Sequence, residues 1–130
     1  YDRRAFGKFE APEYSSLVGF YTDKSCSQID FDHVVSLKDA WLSGAWQWSM
    51  ERREAFASDP QNLVQACRSI NRSKGASLPK DFIRKAEDGK GLDYEIKNKC
   101  AYFGKYLSVK SNFELSLEKN DMELLLSCVD

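Results

Sequence analysis

The chain has 130 residues, is 42% hydrophobic and 13% aromatic, and carries a formal net charge of −1. That composition excludes a disordered segment, and no apolar run nears the roughly 18 residues of a membrane-spanning helix. It fits one domain over residues 1–130 that buries roughly two-thirds of its unfolded surface, and the near-neutral sum argues against nucleic-acid binding driven by overall charge alone.

Residues 1–14 mix charge with Tyr1, Phe6 and Phe9, which predicts a short helix or an extended arm packed across the domain. The β-forming run "LVGFYT", 17–22, reads as a strand, and the polar turn "DKSCSQ" joins it to a second, "IDFDHVV", as a hairpin. In that second strand Phe31, His33 and Val35 face one side, Asp32 and Val34 the other. From Leu37 to Phe56 the spacing turns helical, with Trp41, Ala45, Trp48 and Phe56 on one face and a weak point at Gly44. The three tryptophans, Trp41, Trp46 and Trp48, read as core rather than as a stacking platform. "SDPQN" is a turn and "LVQAC", 63–67, a strand. Ser69 is positioned to cap a helix through "INRSKGA" that stops at Gly75, and another begins near Pro79. "KAEDGKG" reads as a loop. The stretch from Tyr94 to Cys128 reads as two helices parted near Ser111 and Asn112, burying Val109, Phe113, Leu117, Leu124 and Leu125.

Charge is unevenly distributed. Between Arg68 and Lys85 lie six basic residues (Arg68, Arg72, Lys74, Lys80, Arg84, Lys85) and a single acid, Asp81. Such a cluster is either a phosphate-facing surface or a solvated helix face. Cys26, Cys67, Cys100 and Cys128 form no CxxC pair, which argues against a zinc knuckle. Their even number fits disulfides in an exported protein or reduced thiols in a cytosolic one, and export, to the periplasm or beyond, is the expectation. The first residue is Tyr1, so a leader is expected to have been removed already. Cys100 and Cys128 flank the terminal helices and are either joined or two buried thiols; Cys26 with Cys67 is a second candidate pair.

His33 is the only histidine and follows Asp32 directly. A lone histidine is commonly a hydrogen-bonded structural residue. The surrounding pattern points further. The run "DHVVSLKDAWLSGAWQWSMERREAFASDPQNLVQACRSINRSKGASLP" closely resembles the HNH (His-Me finger, ββα-metal) endonucleases, and more narrowly the small, often secreted bacterial HNH nucleases. "YDRRAFG" and "CAYFGKYLSVKSNFELSL" carry weaker family-like features.

The resemblance implies an α+β fold: a ββα-metal core over approximately 29–78, a helical insertion, and packed helices over approximately 79–128. It implies a metal-dependent nuclease acting on DNA, or also on RNA, with weak sequence preference and as a monomer. His33 would be the general base, Asn62 would orient its imidazole, and Asp32 and Asn71 would hold one Mg²⁺ or Mn²⁺. Arg72 and Lys74 would meet phosphates, while Lys80, Arg84 and Lys85 read either as further phosphate contacts or as solvent-exposed charges. The chemistry is coherent, because a neutral imidazole can deprotonate water while a hard cation held by oxygens binds the phosphate. Taken singly, Asp32 reads as a strand-edge carboxylate, Asn62 as a turn residue and Asn71 as a helix-start residue. Two other readings stay open: a noncatalytic nucleic-acid-binding domain of the same fold, and the nuclease end of a larger toxin or defence protein.

Overall fold

The β-forming runs "IDFDH" and "LVQAC" pair as two antiparallel strands, β1 (Ile29–His33) and β2 (Leu63–Cys67), in register from Ile29 opposite Cys67 to His33 opposite Leu63. The computed structural model describes residues 1–87 and 94–128. Between the strands run α1 (Leu37–Leu42), a 3-10 turn (Ala45–Gln47), α2 (Met50–Ala57) and a second 3-10 turn (Pro60–Asn62). After β2 come α3 (Arg68–Lys74), α4 (Pro79–Glu87), α5 (Lys99–Asn112) and α6 (Lys119–Leu126). The fold is therefore α+β, a small sheet among helices, with α3 leaving β2 directly and packing on both strands.

The expected helix from 37 to 56 breaks at Gly44, whose φ of 144° lies outside what an L side chain readily adopts. Ser36 and Ser49 cap α1 and α2 by accepting the backbone N–H groups of Asp39 and Arg52. Of the tryptophans, Trp41 and Trp48 pack on the core, but Trp46 is 56% exposed, so the core reading fails for that one.

The run 17–22 is not a strand. It contributes one isolated bridge, Val18 to Ser25, and a bond from Phe20 N–H to the Gln65 carbonyl. Gly19 lies so close to Cys67 that a Cβ there would sit 2.9 Å from its Sγ, and Asp23 turns the chain at φ 55°. Its β-formers are used for burial instead: Tyr21 and Thr22 are inside. The expected cap at Ser69 is also absent. Helix α3 starts two residues earlier at Arg68, whose N–H is satisfied by the Gln28 carbonyl. The last two helices part over residues 113–118 rather than at Ser111–Asn112, where Glu114 takes φ 55° and Ser116 N–H bonds the Ser43 carbonyl. Lys85 to Glu87 end α4, and the rest of the "KAEDGKG" loop lies outside the described residues except for what precedes Asp88.

Two aromatic groups fill the interior. Phe6 packs against Trp41 and Phe56, and Phe56 meets Phe113 edge-on at 4.9 Å. Tyr21, Phe82 and Tyr102 form a second group of edge-on pairs at 5.1–5.7 Å. Asp39 on α1 is buried against α5, bonded to the Tyr106 hydroxyl and to Lys110 Nζ, which also reaches the Ser116 carbonyl. Every donor in that cluster has an acceptor, as burial of a charge requires.

Cys26 is bonded to Cys67 and Cys100 to Cys128. The second bond closes a separation of 28 residues and ties the end of α6 to the start of α5. In the chain-entropy model this restricts the unfolded state by about 3.5 kcal/mol. Replacing both Cys100 and Cys128 by alanine is thus expected to lower stability by about 2–4 kcal/mol, read from urea unfolding of the variant beside the unreduced parent.

Candidate active site

Strand β1 ends at the edge of a cavity of about 350 Å³ whose lining includes Asp32, His33, Lys38, Asn71 and Arg3. Neighbouring strand residues point to opposite faces, which by itself would set Asp32 and His33 apart. At the strand's end both border this one cavity, because α3 comes across from β2 and brings Asn71 beside them.

His33 is held by its ring. Nε2 lies 2.7 Å from the carbonyl oxygen of Ala57, the last residue of α2, and the Phe9 ring packs at 5.0 Å. A carbonyl can only accept, so Nε2 carries the hydrogen and Nδ1 keeps its lone pair. Burial lowers the imidazole's pKa below its ordinary 6.5, outweighing the Ala57 bond and the Asp32 charge, which raise it. The ring is therefore neutral at pH 7 with Nδ1 as its basic atom.

Asp32 is almost fully buried. Its Oδ2 accepts from the Tyr21 hydroxyl at 2.5 Å and pairs with Lys74 Nζ at 3.1 Å. Burial and the Asp32 charge push the Tyr21 phenol well above its usual range, so it remains a donor. Asn71 is oriented by a residue that the sequence reading passed over. Its Nδ2 donates to Asp30 Oδ2 at 3.2 Å, and Asp30 Oδ1 accepts from Arg68 Nε at 3.0 Å. The signal was present in "IDFDH", where Asp30 and Asp32 share a strand face by their spacing of two. Asp32 Oδ1 and Asn71 Oδ1 take no hydrogen bond among the described residues. They are hard oxygen donors in one cavity, the chemistry that suits Mg²⁺ or Mn²⁺ with water completing the shell. Among the described residues no group of three or more His, Cys, Asp or Glu side chains is arranged to hold a metal.

Two expected roles change. Asn62 makes no hydrogen bond to the imidazole. It is fully buried, its Oδ1 accepting from Val35 N–H at 2.8 Å and its Nδ2 donating to the Val35 carbonyl at 3.0 Å. It thus fixes the turn that follows His33, while the Ala57 carbonyl orients the ring. Lys74 cannot meet a phosphate, because it is fully buried and its Nζ serves Asp32 and the His33 carbonyl. Of the other basic residues, Arg72 is exposed in a separate cavity with Arg68 and Ser69, and Lys80 and Arg84 flank another on α4. Lys85 is bonded to the Ser73 carbonyl and the Ser77 hydroxyl.

The model of the C-terminal domain of GmrSD restriction endonucleases matches residues 7–126. The chain belongs to that family. The resemblance seen in the sequence is thereby carried as far as a restriction-endonuclease domain family. A protein of Arthroderma benhamiae, described as an uncharacterized secreted protein, is 30% identical over 108 residues, 82% of this chain and 48% of its own length. The chain thus spans about half the length of the curated relative it matches. No solved structure matches it.

Proposed function

We propose that the chain is an HNH-type, metal-dependent endonuclease that hydrolyses phosphodiester bonds of DNA, akin to the small secreted bacterial HNH nucleases, with β1, β2 and α3 as its ββα-metal core. One observation carries the reading: His33 Nε2–H is fixed on the Ala57 carbonyl, which leaves Nδ1 as the basic atom of a residue that lines one cavity with Asp32 and Asn71. Membership of a restriction-endonuclease domain family supports it independently.

In this reading His33 Nδ1 takes the proton of the attacking water, whose oxygen adds to phosphorus as the P–O bond to the leaving sugar oxygen breaks, and solvent water protonates that departing oxygen. Asp32 and Asn71 would hold one Mg²⁺ or Mn²⁺ through their free oxygens, and Asp30 accepts from the Asn71 amide, which keeps its oxygen available. The bound cation would supply charge stabilisation to the phosphate and the departing oxygen. Asn62 keeps the turn after His33 in register with α2. Exposed Arg72, Lys80 and Arg84 meet backbone phosphates outside the cavity, so base preference is weak. Two disulfides and the secreted relative support a place of action outside the cytoplasm.

The test is incubation with supercoiled plasmid, linear duplex, single-stranded DNA and RNA in Mg²⁺, Mn²⁺ or EDTA. Nicking that appears with either cation and stops in chelator is expected. Full activity in excess EDTA would remove the metal from the mechanism, and no cleavage of any substrate would remove the nuclease reading.

A further inference from the structure

The basic segment 68–85 supplies little free charge to the His33 cavity. Arg68 is spent on Asp30 and Gln28, Lys74 on Asp32, and Lys85 on Ser73 and Ser77. The cations that do border the cavity come from two other parts of the chain, Arg3 and Lys38. Both are exposed, and neither makes an ion pair or hydrogen bond with a described residue.

Each is held there by its backbone. Arg3 opens the 3-10 turn Arg3–Phe6, which is anchored by the buried Phe6 ring and by Arg53 Nε, 2.6 Å from the Ala5 carbonyl. The one carboxylate beside it, Asp2, is taken by the guanidinium of Arg4 at 2.9 Å, which leaves Arg3 unpaired. Lys38 stands in the first turn of α1, the end of a helix where a cation is unfavourable. Its position is therefore not explained by helix stability. The carboxylate lining this cavity, Asp32, is already matched by Lys74, so the two free cations give the opening a positive excess.

We propose that Arg3 and Lys38 form the phosphate-binding pair of this cavity, gripping the nucleic-acid backbone next to His33 from the N-terminal turn and from α1. The proposal rests on the nuclease reading and adds to it which residues hold the substrate. Arg3 offers a planar fork to two phosphate oxygens, while Lys38 acts as a point charge. Neither contact reads bases.

Anisotropy of labelled duplex is measured from 50 to 300 mM salt in the His33→Ala background, with Mg²⁺ present. Each lost phosphate contact makes the log–log salt slope shallower by about 0.9 on duplex DNA. Arg3→Ala with Lys38→Ala is expected to reduce the slope by about two units and to weaken binding roughly 50-fold at 0.1 M salt. Arg3→Lys should restore part of that loss, and Lys119→Ala, on exposed α6, should change nothing. Both substituted side chains are on the surface, and circular dichroism verifies the fold of each variant. An unchanged slope in a folded double variant overturns the proposal even if the parent chain cuts DNA. A parent that binds duplex but cuts nothing ends the nuclease reading alone, and the slope still decides this one. A parent that does not bind ends both.

Discussion

His33→Ala is expected to slow cleavage by ~10²–10⁴-fold, the usual loss when a positioned general base is removed. Stability should change little. The ring is at the end of a strand, and the hydrogen bond it makes among the described residues, to the Ala57 carbonyl, is of a kind worth ~1 kcal/mol. Nucleic-acid affinity should be nearly unchanged, since the phosphate contacts lie on other residues. Single-turnover cleavage of plasmid, with thermal unfolding in parallel, separates these outcomes. A folded variant that retained parental turnover would take the proton-accepting role away from His33.

The pH profile gives an independent reading of the same residue. Because burial depresses the imidazole's pKa, the acidic limb of kcat should fall below pH 6.5. Stability follows with a defined sign. Between the folded pKa and 6.5 the unfolded chain binds the extra proton, so the contribution is complete above 6.5 and is lost as pH falls toward the folded value. His33→Gln should flatten that slope in urea titrations between pH 5 and 7.

Much of this site is legible in the sequence because it depends on short-range pattern. Asp32 and His33 are adjacent, the two strands announce themselves by alternation, and Gly44 marks the break in the insertion. Three features are not legible, each for a physical reason. Asn62 mimics a backbone pair with Val35, and nothing in residue type separates an amide that orients a ring from one that pins a turn. Arg3 reaches the cavity only through the burial of Phe6, a contact made across the fold with Trp41 and Phe56. The run 17–22 has strand propensity but no strand beside it along its length, and its aromatic residues stabilise more by burial than by pairing.

Lys74 is the most instructive of the misread residues. Hydropathy groups it with exposed Arg72, yet Ile70 and Lys74 are four apart on α3 and both buried. The spacing that marks a helix's inner face was there, masked by the charge.

Lys74→Met is expected to be the most destabilising single substitution near the site, by ~3–5 kcal/mol, the cost of removing one partner of a buried ion pair. In the parent, Nζ is 3.1 Å from Asp32 Oδ2 and 3.1 Å from the His33 carbonyl, with Tyr21 and Phe82 rings alongside. Methionine fills similar space but leaves the Asp32 carboxylate buried with only the Tyr21 hydroxyl as donor. Asp32→Asn combined with Lys74→Met removes the orphaned charge and should recover more than half of the loss. If Asp32 also holds a divalent cation, 10 mM Mg²⁺ should raise the melting temperature of Lys74→Met more than that of the parent, because there the cation meets an uncompensated carboxylate. Differential scanning calorimetry of the three proteins, with Mg²⁺ and with EDTA, measures both effects. Equal Mg²⁺ shifts in parent and variant would argue against Asp32 as a ligand, and an unperturbed melting temperature for Lys74→Met would show that Asp32 does not depend on this lysine.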